Sequence, residues 1–95
     1  MADWLYIVKG PRPIVATAIH DGHVLRPGVA DLMALPEANR LREEDPYTAP
    51  WTEAFGTRLV LDRSRFEVDL NRPRDRAVYR TPDDAWGLDL WTRPL

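Results

Sequence analysis

His20-Asp21-Gly22-His23 follows directly on the apolar run Ile14-Val15-Ala16-Thr17-Ala18-Ile19. Imidazole is a common zinc ligand, and glycine lets the backbone turn so that a side chain can point back over the end of a strand. Two histidines fill at most half of a tetrahedral site, so the same turn also suits a structural role. A second chemical pair stands at Asn71-Arg72, just before Pro73. A guanidinium is a planar fork of donors that matches two carboxylate oxygens, and an amide adds a donor from a neighbouring angle. The guest this pair suits is a small-molecule carboxylate. A plainer account also holds for these residues, with Arg72 solvated among other arginines and Asn71 capping the turn before proline.

Both groups need elements to position them. Phe66, Val68 and Leu70 alternate with Glu67, Asp69 and Asn71, the period-two pattern of a strand with one buried face. That strand would send Asp69 and Asn71 to its other face and end at Asn71 or Arg72, because Pro73 cannot donate to a sheet ladder. Asn71 and Arg72 would then sit at a strand's C-terminal mouth, where open α/β sheets place their ligands. The continuous apolar run 14–19 has the length of a strand buried on both faces, hence parallel and central. Trp4 to Val8 and Thr57 to Leu61 read as further strands. Val29, Leu32, Met33 and Leu35 are spaced for one or two helical turns, and a second helix opens at Pro36 and runs to about Glu44. Two prolines make Asp45 to Trp51 a loop. Trp86, Leu88, Leu90 and Trp91 are too apolar to stay exposed without a partner. The expected fold is α/β, a mixed or mainly parallel sheet flanked by short helices.

The chain has 95 residues, enough for one small domain, 1–95, with a modest core. It has no cysteine, hence neither a disulfide frame nor a thiolate metal site. No apolar run approaches the roughly 18 residues that span a bilayer, and Met1 to Val8 lacks the basic start and long apolar stretch of a signal peptide. No membrane partner is expected, and a cytoplasmic location fits. The net charge of −2 argues against a general nucleic-acid binder. Residues 58–80 hold seven arginines against four acids, but Phe66 and Tyr79 are the only aromatics there and do not interleave with the basic residues as a single-strand platform needs. Arginine outnumbers lysine twelve to one, which reads as genome composition.

Asp69-Leu70-Asn71-Arg72 resembles the Asp-Leu-Asn-Arg signature of zinc carboxypeptidase-like hydrolases. The longer run Ser64-Arg65-Phe66-Glu67-Val68-Asp69-Leu70-Asn71-Arg72-Pro73 resembles the N-formylglutamate amidohydrolase family, and the likeness extends from Pro13 to Trp91. The family's His-x-Gly stands here as His20-Asp21-Gly22, which implies that His20 is a zinc ligand. Carboxypeptidases use His-x-x-Glu, but the fourth position here is His23, so a carboxylate must come from elsewhere. Asp45 matches the family's acidic ligand, with Glu44 as substitute. Glu43, Glu44 and Asp45 are otherwise solvated charges at a helix end, where acids oppose the dipole.

The resemblance implies part of an αβα sandwich of the zinc carboxypeptidase or phosphorylase/hydrolase kind. It implies one zinc ion, hydrolysis of the formamide of N-formylglutamate or a related N-acyl amino acid, and Asn71 and Arg72 on the substrate carboxylate. Arg63 or Arg65 would steady the oxyanion. The family's third ligand, a histidine, and its general-base glutamate lie beyond the matched stretch, so the chain resembles the N-terminal portion of such an enzyme. The other reading is a non-enzymatic carboxylate-binding or protein-interaction module, with Trp86 to Trp91 facing a partner. A truncated sheet would leave an edge and an apolar face open, a reason for homo-oligomer formation.

Overall fold

The structure is a computed structural model that describes residues 3–95. Met1 and Ala2, where the signal-peptide reading begins, lie outside that range. Three short strands form one mixed sheet: β1 (Leu5–Val8), β2 (Val15–Ala18) and β3 (Thr57–Leu61), in the order β1-β3-β2. The aliphatic run of β3 makes it the centre, antiparallel to β1 and parallel to β2. Cα pairing sets Ile7 and Thr17 on either side of Leu59, and Tyr6 and Ala18 on either side of Val60. The 3-10 helical segment Ala49–Phe55 lies against β2 and β3. It is tied there by Arg58 Nη1, which donates to Thr52 Oγ1 at 3.4 Å.

Two strand expectations are corrected. The apolar run 14–19 is an edge strand rather than a central one, and Val15 is 63% exposed. Its composition reflects apolar character but not the number of neighbours the sheet provides. The stretch 64–72 is not a strand at all. Ser64 Oγ accepts the Phe66 N–H at 3.2 Å, and Asp69 Oδ1 accepts the Asn71 N–H at 2.8 Å. These local side-chain bonds offer the backbone turns in place of a ladder. Burial follows the turns: Phe66 and Asp69 go inside, while Leu70 is exposed.

Helix α1 (Pro27–Ala30) is a single turn, within the one or two expected, but it ends before Leu32 and Leu35, and Met33 pairs with Trp91 instead. Helix α2 (Glu37–Glu43) begins after Pro36 as expected. The core lies off the sheet, where Phe66, Tyr79, Ala85 and Leu90 pack with Met33, Leu35, Leu88 and Trp91 around them. Leu88, Leu90 and Trp91 find their partners in this cluster, while Trp86 stays about half exposed. No helix among the described residues is long and apolar enough to cross a membrane.

Candidate functional site

His20 stands just past the end of β2, and three features of its turn aim it at the loop after β3. Gly22 packs so closely on the backbone of Asp62 and Arg63 that a Cβ would collide with both. Glycine is needed here for close approach, since Gly22 is not among the residues with positive φ. Val24 then bridges to Arg63, with Val24 N–H donating to Asp62 O at 3.2 Å and Ser64 N–H to Val24 O at 2.9 Å. The Asp45 N–H donates to His20 O at 3.0 Å, which brings the loop after α2 to the same point. Asp21 fixes that loop further on, since its Oδ1 accepts the N–H groups of Thr48 and Ala49.

The imidazole is thereby held between two carboxylates. Nε2 lies 2.6 Å from Asp69 Oδ1, and Nδ1 lies 3.2 Å from Asp45 Oδ2. Asp69 is 1% exposed and is the hub of the cluster. It also accepts the Tyr79 hydroxyl and the Asn71 N–H, with Arg65 Nη2 at 3.4 Å and Arg72 Nε at 3.7 Å. Burial pushes the Asp69 carboxyl up, but the bonds from Tyr79, His20 and Asn71 together outweigh it and hold it below the usual carboxylate range. Tyr79 shifts the other way, raised by its burial and by its bond to Asp69.

Arg65 ties the two carboxylates together. Its Nη1 is 3.6 Å from Asp45, its Nε donates to the Tyr79 hydroxyl at 3.1 Å, and its guanidinium lies 4.8 Å from the centre of the Trp86 ring. Trp86 takes φ 40°, a left-handed conformation uncommon for a bulky residue, to place its ring there. Arg72 lies over the Tyr79 ring at 4.5 Å. Among the described residues the one ion pair of its side chain is the long one from Nε to Asp69, and the side chain is 30% exposed. The Asn71 side chain is exposed beside it.

The remaining residues named from sequence lie elsewhere. Glu44 is buried against a different imidazole: Oε1 is 2.5 Å from His23 Nδ1, while Oε2 accepts Arg40 Nη1 at 2.8 Å and the Ser64 hydroxyl. Glu37 reaches His23 Nε2 at 3.0 Å from the start of α2. Burial lowers the His23 pKa, but the bonds to Glu44 and Glu37 overcome it, so the imidazole titrates above its ordinary value. This cluster fastens α2 to the histidine turn. Arg63 points to Glu67 at 3.4 Å, together with Arg26, and takes no part in the His20 cluster.

The acidic run at the end of α2 is thus explained acid by acid. Glu43 accepts Trp86 Nε1–H at 3.1 Å, Glu44 holds His23 and Arg40, and Asp45 faces His20. Tyr79 was not singled out from sequence, Trp86 entered only as part of a partner-facing patch, and Asp69 only as the first residue of the Asp-Leu-Asn-Arg run. For Asp69 the available signal was an acid between two apolar neighbours, Val68 and Leu70, in a segment rich in local hydrogen-bonding side chains.

A cleft of about 320 Å³ opens beside His20 and Asp45, walled by Ala16, Ile19, Trp51 and Phe55. Arg72 is not part of its wall. As donors to a cation, His20 Nδ1 and Asp45 Oδ2 are adjacent and face one another. Among the described residues no group of three or more His, Cys, Asp or Glu side chains is arranged to hold a metal ion.

Compared with models of known protein families, residues 12–92 match the one described as N-formylglutamate amidohydrolase. No curated protein and no solved structure matches the chain.

Proposed function

The chain belongs to the N-formylglutamate amidohydrolase family, and from that membership we propose that it serves the zinc-dependent hydrolysis of the formamide of N-formyl-L-glutamate or a related N-acyl amino acid. Water adds across the amide C–N bond, giving formate and the free amino acid. The observation that carries this reading is the placement of His20 between Asp69 and Asp45. With Nε2–H donated to Asp69, a neutral imidazole turns its Nδ1 lone pair toward Asp45 Oδ2, 3.2 Å away. In that tautomer the two atoms are the chain's own pair of donors to a cation; with Nδ1 carrying a proton the same contact is a hydrogen bond to Asp45. His20 and Asp45 would be the residues to hold the ion, both being ligand types that zinc accepts. Asp69 then plays the part of the carboxylate that fixes the tautomer and orientation of a ligating histidine.

When bound, zinc supplies Lewis-acid chemistry, lowering the pKa of water toward about 7 and polarising a carbonyl. The chain's own residues do the rest. Arg72 offers its guanidinium fork to the substrate carboxylate, with the Asn71 amide beside it. Of the two arginines considered for the oxyanion, Arg65 is the one next to the carboxylates of His20, and a donor in that role must come within about 3 Å of the developing charge. In this reading the mixed sheet is one part of an αβα sandwich, and the residues assigned above supply neither the remaining ligand nor the general base.

The test is formate release from N-formyl-L-glutamate and N-formyl-L-phenylalanine by the full-length protein supplied with zinc. Release that is lost in His20→Ala and falls mainly through KM in Arg72→Ala is expected. No formate from either substrate would overturn the proposal.

A further inference from the structure

Tyr79 is a neutral side chain that carries two arginines. It has no exposed surface, and its ring is fixed edge-on against Phe66 and Trp86, with centroids 5.8 and 6.0 Å away. Its hydroxyl donates to Asp69 Oδ2, which turns the phenolic lone pairs toward Arg65, whose Nε–H they accept at 3.1 Å. Its ring face carries the Arg72 guanidinium, 4.5 Å from the centroid. The backbone around it is tied as well: Ala77 O accepts the Asp69 N–H at 2.7 Å, and Tyr79 O accepts the Trp91 indole N–H at 2.6 Å. Without the phenol Asp69 would still hold His20 and the Asn71 N–H, whereas Arg65 Nε would lose its acceptor.

We infer that Tyr79 is a positioning residue for both arginines of the reaction: its hydroxyl aims Arg65 at the oxyanion, and its ring holds Arg72 for the substrate carboxylate. The inference rests on the amidohydrolase reading and adds to it the group that sets the two arginines relative to one another. The ion pairs of Arg65 are longer than its bond to the phenol, 3.6 Å from Nη1 to Asp45 and 3.4 Å from Nη2 to Asp69. In the proposed site Asp45 also serves the metal ion, which weakens its hold on Arg65 and leaves the phenol and the Trp86 ring to fix the guanidinium. A phenol suits this task because it is neutral. It anchors Nε without cancelling the charge that the oxyanion needs, as a carboxylate in its place would. The same logic serves Arg72, since a ring face attracts a guanidinium without using its N–H donors and so does not compete with a carboxylate for them.

Tyr79→Phe and Tyr79→Leu separate the two ends, the first removing the hydroxyl and the second the ring as well. On the full-length protein supplied with zinc, with N-formyl-L-glutamate as substrate, Tyr79→Phe should lower kcat about 10–100-fold and leave KM unchanged, the scale of a lost hydrogen bond to a charged group. That loss should shrink to no more than about twofold in an Arg65→Lys background, which keeps a cation but has no Nε–H for the phenol to accept. An undiminished loss in that background would mark the effect as structural and overturn the inference. Tyr79→Leu should in addition raise KM about 3–30-fold, and pentafluorophenylalanine at position 79 repeats this test with the ring volume kept and its attraction for a cation removed. Formate release with none of these changes overturns the inference and leaves the amidohydrolase reading intact. If the parent releases no formate, that reading fails, and calorimetry with N-acetyl-L-glutamate decides Tyr79 by itself. Binding kept in Tyr79→Phe and weakened in the pentafluorophenylalanine variant supports the positioning of Arg72, and equal or absent binding overturns it.

Discussion

His20 and Arg72 meet on one carboxylate: Asp69 takes the imidazole Nε2 at 2.6 Å on Oδ1 and Arg72 Nε at 3.7 Å on Oδ2. A candidate metal ligand and a candidate substrate clamp are therefore held by the same buried group. The turn that holds Asp69 also places Arg72, since the Arg72 N–H donates to Asp69 O at 3.3 Å.

Asp69→Asn should destabilise the fold by about 2 kcal/mol, because the bonds it weakens are to charged or buried partners. The loss should appear as a lower urea midpoint with an unchanged m-value. Zinc affinity should fall about 10–100-fold, the usual cost of losing the carboxylate behind a ligating histidine. An unchanged midpoint would show that Asp69 is not the hub of the cluster.

Gly22→Ala should cost about 1–3 kcal/mol, since the backbone of Asp62 and Arg63 cannot give way without moving the bridge at Val24. Gly28→Ala is the control, with nothing within 4 Å of the added methyl. It lies in α1 and should leave stability unchanged or raise it by up to about 1 kcal/mol. Equal effects of the two substitutions in denaturant titrations would remove the close-approach explanation of His-x-Gly.

The thermal midpoint should fall on the alkaline side through His23. Its pKa is raised in the folded state despite burial, because Glu44 and Glu37 both bond it. Its contribution is fully present below about pH 6.5, the unfolded value, and is lost as pH rises through the higher folded value. Asp69 acts in the opposite sense, its depressed pKa giving stability that is lost as pH falls through the folded value. Scanning calorimetry from pH 5.5 to 8.5 should show a smaller alkaline decline in His23→Gln than in the parent, and identical slopes would contradict the assignment.

The edge strand β2 should favour self-association, because Val15 is 63% exposed next to unpaired backbone groups. Sedimentation velocity should show a mass that rises with concentration and that Val15→Lys returns toward the monomer. A monomer throughout would leave the edge without a partner of this kind.

Parts of this architecture were legible in the letters, and the reasons differ by element. Thr57–Leu61 is an aliphatic run bounded by Gly56 and Asp62, and it forms the strand it suggests. Pro36 marks the start of α2 because its fixed φ suits a helix entry. The segment 64–72 misled because alternation of apolar and polar residues is a statement about faces, while Ser64 and Asp69 bond the backbone within their own segment. The same error turned Asp69 outward on paper, although it is the most connected carboxylate of the site. The pairing of His20 with Asp45 and Asp69 joins residues 25 and 49 apart. Such separations leave no trace in local periodicity, and Asp45 was reached only through the family pattern.

The central claim is that His20 and Asp45 are two ligands of one zinc ion, and metal content of the purified full-length protein tests it most directly. Elemental analysis should find about one zinc per chain in the parent and well under half of that in His20→Ala and in Asp45→Ala, with both variants folded by circular dichroism. A parent without zinc after growth in zinc-supplemented medium, or a His20→Ala variant that keeps its full complement, would contradict the account.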